Sequence, residues 1–233
     1  MRLRPVRLNA AIAWLFMLGS SCFVLGSVPA YVNAMGGVAD AVTYFIGSIF
    51  FTAASFAQLL QAQTPEMTEV DEGQQHVRRP VVIRAWLAKD RNWLAAITQF
   101  PGTLFFNIST LAALASNATA QQQDRHVWRP DFFGSTLFLV ASAFGILALG
   151  GRFLSIEARS LPWWIAWVNM IGSVLFMGSA LASYVLPTTG ELINSRFSIV
   201  GTLLGAVCFL IGAALMLPSW RAEVLTASSA ARP

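Results

Sequence analysis

Few side chains in this sequence could do chemistry, and each points to a definite kind. Two histidines stand in matching contexts, His76-Val77-Arg78-Arg79-Pro80 and His126-Val127-Trp128-Arg129-Pro130, and paired imidazoles would suit a metal ion if they met. Two cysteines, Cys22 and Cys208, sit inside apolar runs without Cys-x-x-Cys or any metal-ligand spacing, so they read as small packing residues. Gln58, Gln99, Asn107 and Asn169 are the polar candidates within apolar runs. Gln99, Asn107 and Asn169 could each contact a ligand or hydrogen-bond from helix to helix. Pro101 falls between Gln99 and Asn107 and should kink its segment, which makes this stretch the best local candidate for a site or gate. Nucleophile-elbow, P-loop and zincin patterns are missing. No acid or histidine lies in the interior of an apolar run, so neither an ion relay nor haem ligation is supported. The reading is non-enzymatic, with no catalytic residue, metal or cofactor expected.

The elements that would position these residues follow from composition. Of 233 residues, 56% are hydrophobic and 11% charged, against about 25% charged in a soluble domain. The formal charge of +4 is scattered around apolar runs rather than gathered in one patch, which excludes nucleic acid as a partner and leaves the lipid bilayer. Arg outnumbers Lys 14 to 1, as in a GC-rich bacterial genome. Six segments approach the ~20 apolar residues that a spanning helix needs: 10–32, 41–61, 93–116, 132–153, 163–186 and 197–218. The first, though it follows a basic N-terminus, is too long for a signal-peptide core and is expected to be retained. Continuous runs without alternation exclude a β-barrel. Twelve Lys and Arg fall on the side of both termini and three on the other, so both termini are expected in the cytoplasm. That topology puts His76 and His126 on opposite faces, about 30 Å apart, which removes the metal pair. In the 62–92 loop, residues 63–75 read as an acidic tether, and 80–93 as a surface helix or an extension of the third span. Asn117-Ala118-Thr119 fits a glycosylation sequon by chance, and Asp131 could cap a helix or pair with Arg129.

An internal repeat is the strongest pattern. Ile12-Ala13-Trp14-x-x-Met17-x-Gly19-Ser20-x-x-Phe23 aligns without gaps on Ile165-Ala166-Trp167-x-x-Met170-x-Gly172-Ser173-x-x-Phe176, and Gly102-Thr103-x-x-Phe106 keeps the core of it. Gly47-Ser48-x-x-Phe51-x-x-Ala54-Ser55 matches Gly134-Ser135-x-x-Phe138-x-x-Ala141-Ser142, while the last span keeps Gly201-Thr202 without the aromatic. The economical explanation is a two-helix hairpin present three times: hairpin 1 at 10–61, hairpin 2 at 93–153 and hairpin 3 at 163–218, in one membrane domain with a tail over 219–233. Glycine lets helix backbones approach, the adjacent hydroxyl can bond across, and Phe four residues on fills the next layer. The sharper alternative is that Ser20, Ser48, Thr103, Ser135, Ser173 and Thr202 converge on a polar pathway.

Trp128-Arg129-Pro130-Asp131-Phe132-Phe133-Gly134-Ser135-x-x-Phe138 resembles the YrhK-type two-helix membrane module of bacteria, and Tyr44-Phe45-Ile46-Gly47-Ser48-x-x-Phe51 resembles its Gly-Ser-x-x-Phe part. The whole chain is similar to uncharacterised actinobacterial integral membrane proteins built from such modules. The resemblance implies a bacterial plasma membrane location but no activity and no functional residue. The expectation is therefore an all-α, six-span bundle of three hairpins. Its first functional reading is a structural or interaction subunit with a protein partner or its own copies. The alternative is a channel or facilitator for a small uncharged solute.

Overall fold

The computed structural model describes residues 2–3, 5–64, 79–80, 86–115, 119–150, 157 and 159–230. The acidic stretch 65–78 with His76, residues 81–85 and Asn117 lie outside these. In chain order the helices are α1 (Pro5–Gly26), α2 (Pro29–Met35), α3 (Gly37–Ala62), α4 (Arg91–Ala112), α5 (Ala120–Gln123), α6 (Arg129–Ala148), α7 (Leu161–Ala182) and α8 (Ser195–Ala230). A π-helical turn, Asp124–Trp128, joins α5 to α6. Extended pairing among the described residues is confined to Arg2–Leu3 against Arg79–Pro80 and a bridge between Val185 and Leu192. Apolar runs become helices because a backbone in lipid must satisfy its own polar groups.

Among the described residues, five stretches are long and apolar enough to cross a membrane: Leu8–Gly26, Gly37–Ala62, Ala120–Ala148, Leu161–Ala182 and Ser195–Pro218. The chain is a helical, multi-pass membrane protein. At 22 residues α4 is as long as α1, but Asn92, Thr98, Gln99, Thr103 and Asn107 make it less apolar. Several boundaries differ from the sequence reading. The first helix stops at Gly26 rather than residue 32, because Val28 is extended and Pro29 starts a separate short helix. The fourth stops at Ala148 rather than 153, and the fifth at Ala182 rather than 186, where the chain turns toward the Val185–Leu192 bridge. The described part of the tail expected over 219–233 is not separate, since α8 continues through Pro218 to Ala230. In the 80–93 segment, Trp86–Asp90 is non-helical, and α4 begins where the Asp90 carboxylate accepts from the Asn92 and Trp93 amides at 2.8 and 3.3 Å. Arg129 pairs with Asp124 at 2.8 Å rather than with Asp131.

The six long helices close into a ring in the order α1, α3, α4, α6, α7, α8, with α8 returning to α1. Packing is heaviest within the pairs α1–α3, α4–α6 and α7–α8. Each pair meets through opposed glycines. A Cβ on Gly19 would lie 2.9 Å from the Phe51 ring, and one on Gly47 would lie 2.8 Å from the Phe23 ring. Gly102 and Gly134 face Phe138 and Phe106 in the same way, and Gly172 and Gly205 face Phe209 and Phe176. Each phenylalanine thus fills the notch left by the glycine on its partner helix.

This geometry corrects the register of the last span. Its notch is Gly205 with Phe209 four residues on, not Gly201-Thr202, so the aromatic is present after all. Gly201 instead packs one turn away, where a Cβ would be 3.0 Å from Ser179.

The six notch phenylalanines converge on the axis. Phe51, Phe138 and Phe209 form a triangle with ring centroids 5.7 to 6.2 Å apart. Phe176 lies 6.0 Å from both Phe23 and Phe106 in a second layer, and contacts of 5.1 to 5.5 Å join the layers. All six rings are at least 92% shielded, and they form the centre of the core. Large apolar side chains such as Leu18, Ile49, Leu104, Val140, Val174 and Ile211 stay on the outside, where lipid would meet them.

Candidate functional site

The phenylalanine layers close the axis but do not fill it. On the side where α1, α4 and α7 begin, a cavity of about 390 Å³ lies between the helix ends, with all six long helices lining it. Phe16 and Phe209 form part of its inner end, while Asn92, Leu149 and Pro162 mark its rim. Antiparallel pairing explains this placement, because the starts of α4 and α7 stand beside the ends of α3, α6 and α8 there. Small residues keep the space open. Ala95, Ala141, Gly145, Ala166 and Ala213 line it, and a Cβ added to Gly145 would meet nothing within 4 Å. Arg91 braces the adjacent wall by donating from Nη1 to the Leu147 carbonyl at 2.6 Å.

Among the described residues the polar lining is uncharged: Gln58, Gln61, Asn92, Gln99 and Asn169, with Ser142. Gln58 Oε1 is shielded and has no partner. Among the described residues the side-chain amides of Gln61, Asn92, Gln99 and Asn169 make no hydrogen bond either. Each amide carries two donors and an acceptor, and buried polar groups are as a rule satisfied. Gln58 is thus the lining amide with a shielded atom that protein leaves unbonded, while Asn92 is exposed at the rim and Gln61, Gln99 and Asn169 are half-buried along the wall. The described lining side chains offer hydrogen bonds and apolar contact.

The candidates from the sequence divide sharply. Gln99 and Asn169 line the cavity, but Asn107 does not, since its Nδ2 donates to Thr52 Oγ1 at 2.8 Å. Helix α4 runs on through Pro101. The six seam hydroxyls are not gathered around an opening, because phenylalanine rings occupy the centre beside them. Ser48 donates to the Phe45 carbonyl, Thr103 to Phe100 and Thr202 to Ser198, at 2.8, 2.6 and 3.0 Å. Ser48 also bonds Thr110, Thr202 bonds Ser179 and Ser173 bonds Ser142. Ser20 and Ser135 are buried in their seams, and Ser20 Oγ has no partner.

Gln61 and Asn92 were not picked out from the sequence, and Ser142 entered only as the end of a repeat motif. Gln61 and Asn92 sit at helix ends, where polar side chains are usually solvated. The signal that would have found them is distance from the seam. Asn92, Ala95 and Gln99 precede Gly102 on one helical face, as Pro162, Ile165 and Asn169 precede Gly172.

Comparison of the chain with family models, with curated proteins and with solved structures gives no match.

Proposed function

We propose that this chain is a non-enzymatic membrane facilitator that takes a small uncharged polar solute into the cavity at its N-terminal face. The observation that carries this reading is the set of five unpartnered amides on one space of about 390 Å³. Concave sites of roughly 300–1,000 Å³, largely apolar with a few converging polar groups, are the usual form of a small-molecule site. The absence of charge among the described lining residues favours a neutral solute, since an ion there would lack a counter-charge from them. Behind the site, the phenylalanine layers make this arrangement open to one face and closed to the other.

The proposal includes α4 as a sixth crossing, which places both termini on one face. The excess of Lys and Arg on that face makes it cytoplasmic, in a bacterial plasma membrane. It also includes the origin of the bundle in three copies of one YrhK-like hairpin, supported by the glycine–phenylalanine contact that recurs in each pair. The interaction-subunit reading drew on the small-residue motifs and on the lack of ionisable groups inside the apolar runs. Gly19, Gly47, Gly102, Gly134, Gly172 and Gly205 all meet neighbours of the same chain, so it draws no support from them.

The test is solute flux into liposomes containing the purified protein, followed by light scattering after a gradient of glycerol, urea or nicotinamide. Faster equilibration than in protein-free liposomes for at least one solute, lost in Gly145→Phe, is expected. Equal rates for all three solutes, with folded protein in the vesicles, would overturn the proposal.

A further inference from the structure

The cavity's inner end restricts its ligand further. Phe16, Gln99 and Asn169 each stand three residues before a seam glycine, at Gly19, Gly102 and Gly172, on the three helices that begin at this face. They therefore approach the axis at one depth, and all three line the cavity, with Phe209 beside them. One position at this depth is aromatic, a Phe16 ring that is 8% exposed. The other two positions are primary amides without protein partners.

We infer that the ligand is a planar, uncharged molecule with a carboxamide or lactam edge, of the size of a single nucleobase or nicotinamide. This rests on the binding function proposed above. A side-chain amide presents N–H and C=O side by side, and its natural complement is another donor–acceptor pair at the same spacing, as in bidentate contacts of Asn and Gln with a base edge. Two such side chains can hold two edges of one ring, while Phe16 and Phe209, each 8% exposed and packed on the core rings, present an aromatic edge at the inner end. A polyol would satisfy the amides but gain nothing from the aromatic edges at the inner end. An acyl chain would cover the aromatics and leave five amides bare. The small side chains at Ala141, Gly145, Ala166 and Ala213 leave room between the walls for a flat body.

The experiment is equilibrium binding of radiolabelled nicotinamide and uracil to the full chain in lipid nanodiscs, with nicotinate, glycerol and urea as competitors. At least one of the two planar amides should bind. Nicotinate, of the same shape but charged, should compete at least about tenfold less well, as expected where a fixed polar set rejects an analogue it cannot pair. Gln99→Met and Asn169→Leu preserve side-chain volume, and each should weaken binding about tenfold or more, whereas Leu104→Met, on the exposed outside of α4, should change it less than threefold. Thermal unfolding of each variant separates lost binding from lost fold. Binding of glycerol or urea without either planar amide would overturn this ligand class while leaving the facilitator function standing. Failure of all five compounds to bind, together with equal liposome fluxes, would remove both.

Discussion

Ser142 on α6 and Ser173 on α7 share a hydrogen bond of 2.8 Å across the seam between neighbouring helix pairs. Ser173 directly follows its seam glycine, and Ser142 lies eight residues after its own. At the corresponding places where α8 meets α1 stand Ala213 and Ser20, and the buried Ser20 Oγ has no partner. The α3–α4 contact is tied differently, by Ser48 with Thr110 and by Asn107 with Thr52. Two of the three junctions between pairs thus carry side-chain latches, and among the described residues the α8–α1 junction has none.

Ala213→Ser should supply the absent partner for Ser20 and stabilise the protein by about 0.6 kcal/mol, the typical worth of an interhelical hydrogen bond in lipid. Thermal unfolding in mild detergent measures it. The gain should disappear in the Ser20→Ala background, and an equal gain there would show that the two side chains do not meet.

Gly47→Ala should cost about 1–3 kcal/mol, because the new methyl would press on the Phe23 ring and Cys22 Cβ at 2.8 Å. Gly145→Ala is the contrast. It meets open space, so unfolding should stay within about 1 kcal/mol of the parent, with a gain in helix propensity. Comparable losses from both would contradict the notch geometry.

Phe138→Ala should cost about 3–5 kcal/mol by leaving a cavity where a 2% exposed ring now sits. Phe133→Ala, at a ring 52% exposed on the outside of the same helix, should cost less than about 1 kcal/mol in the same unfolding assay. If enough Phe138→Ala folds for reconstitution, it should also leak solutes, since one of the six rings closing the axis is gone.

Helix formation and membrane class were legible in the sequence because both depend on local apolarity. The glycine–phenylalanine spacing was legible for the same reason, as Gly47 with Phe51 and Gly134 with Phe138 lie within one turn. The last seam was not. Gly201-Thr202 matches the motif by its letters, yet the notch belongs to Gly205, and only the Phe176 ring on the neighbouring helix reveals it. Amide placement shows the same divide. Gln99 and Asn107 stand close together on one helix and are chemically alike, but packing turns one toward the cavity and the other toward Thr52 on α3. Composition and periodicity fixed which residues enter the bilayer and which can sit at a close contact. The ring of helices decided which of them meet, which hydroxyls pair, and where five amides are left facing a space, because those depend on partners far away along the chain.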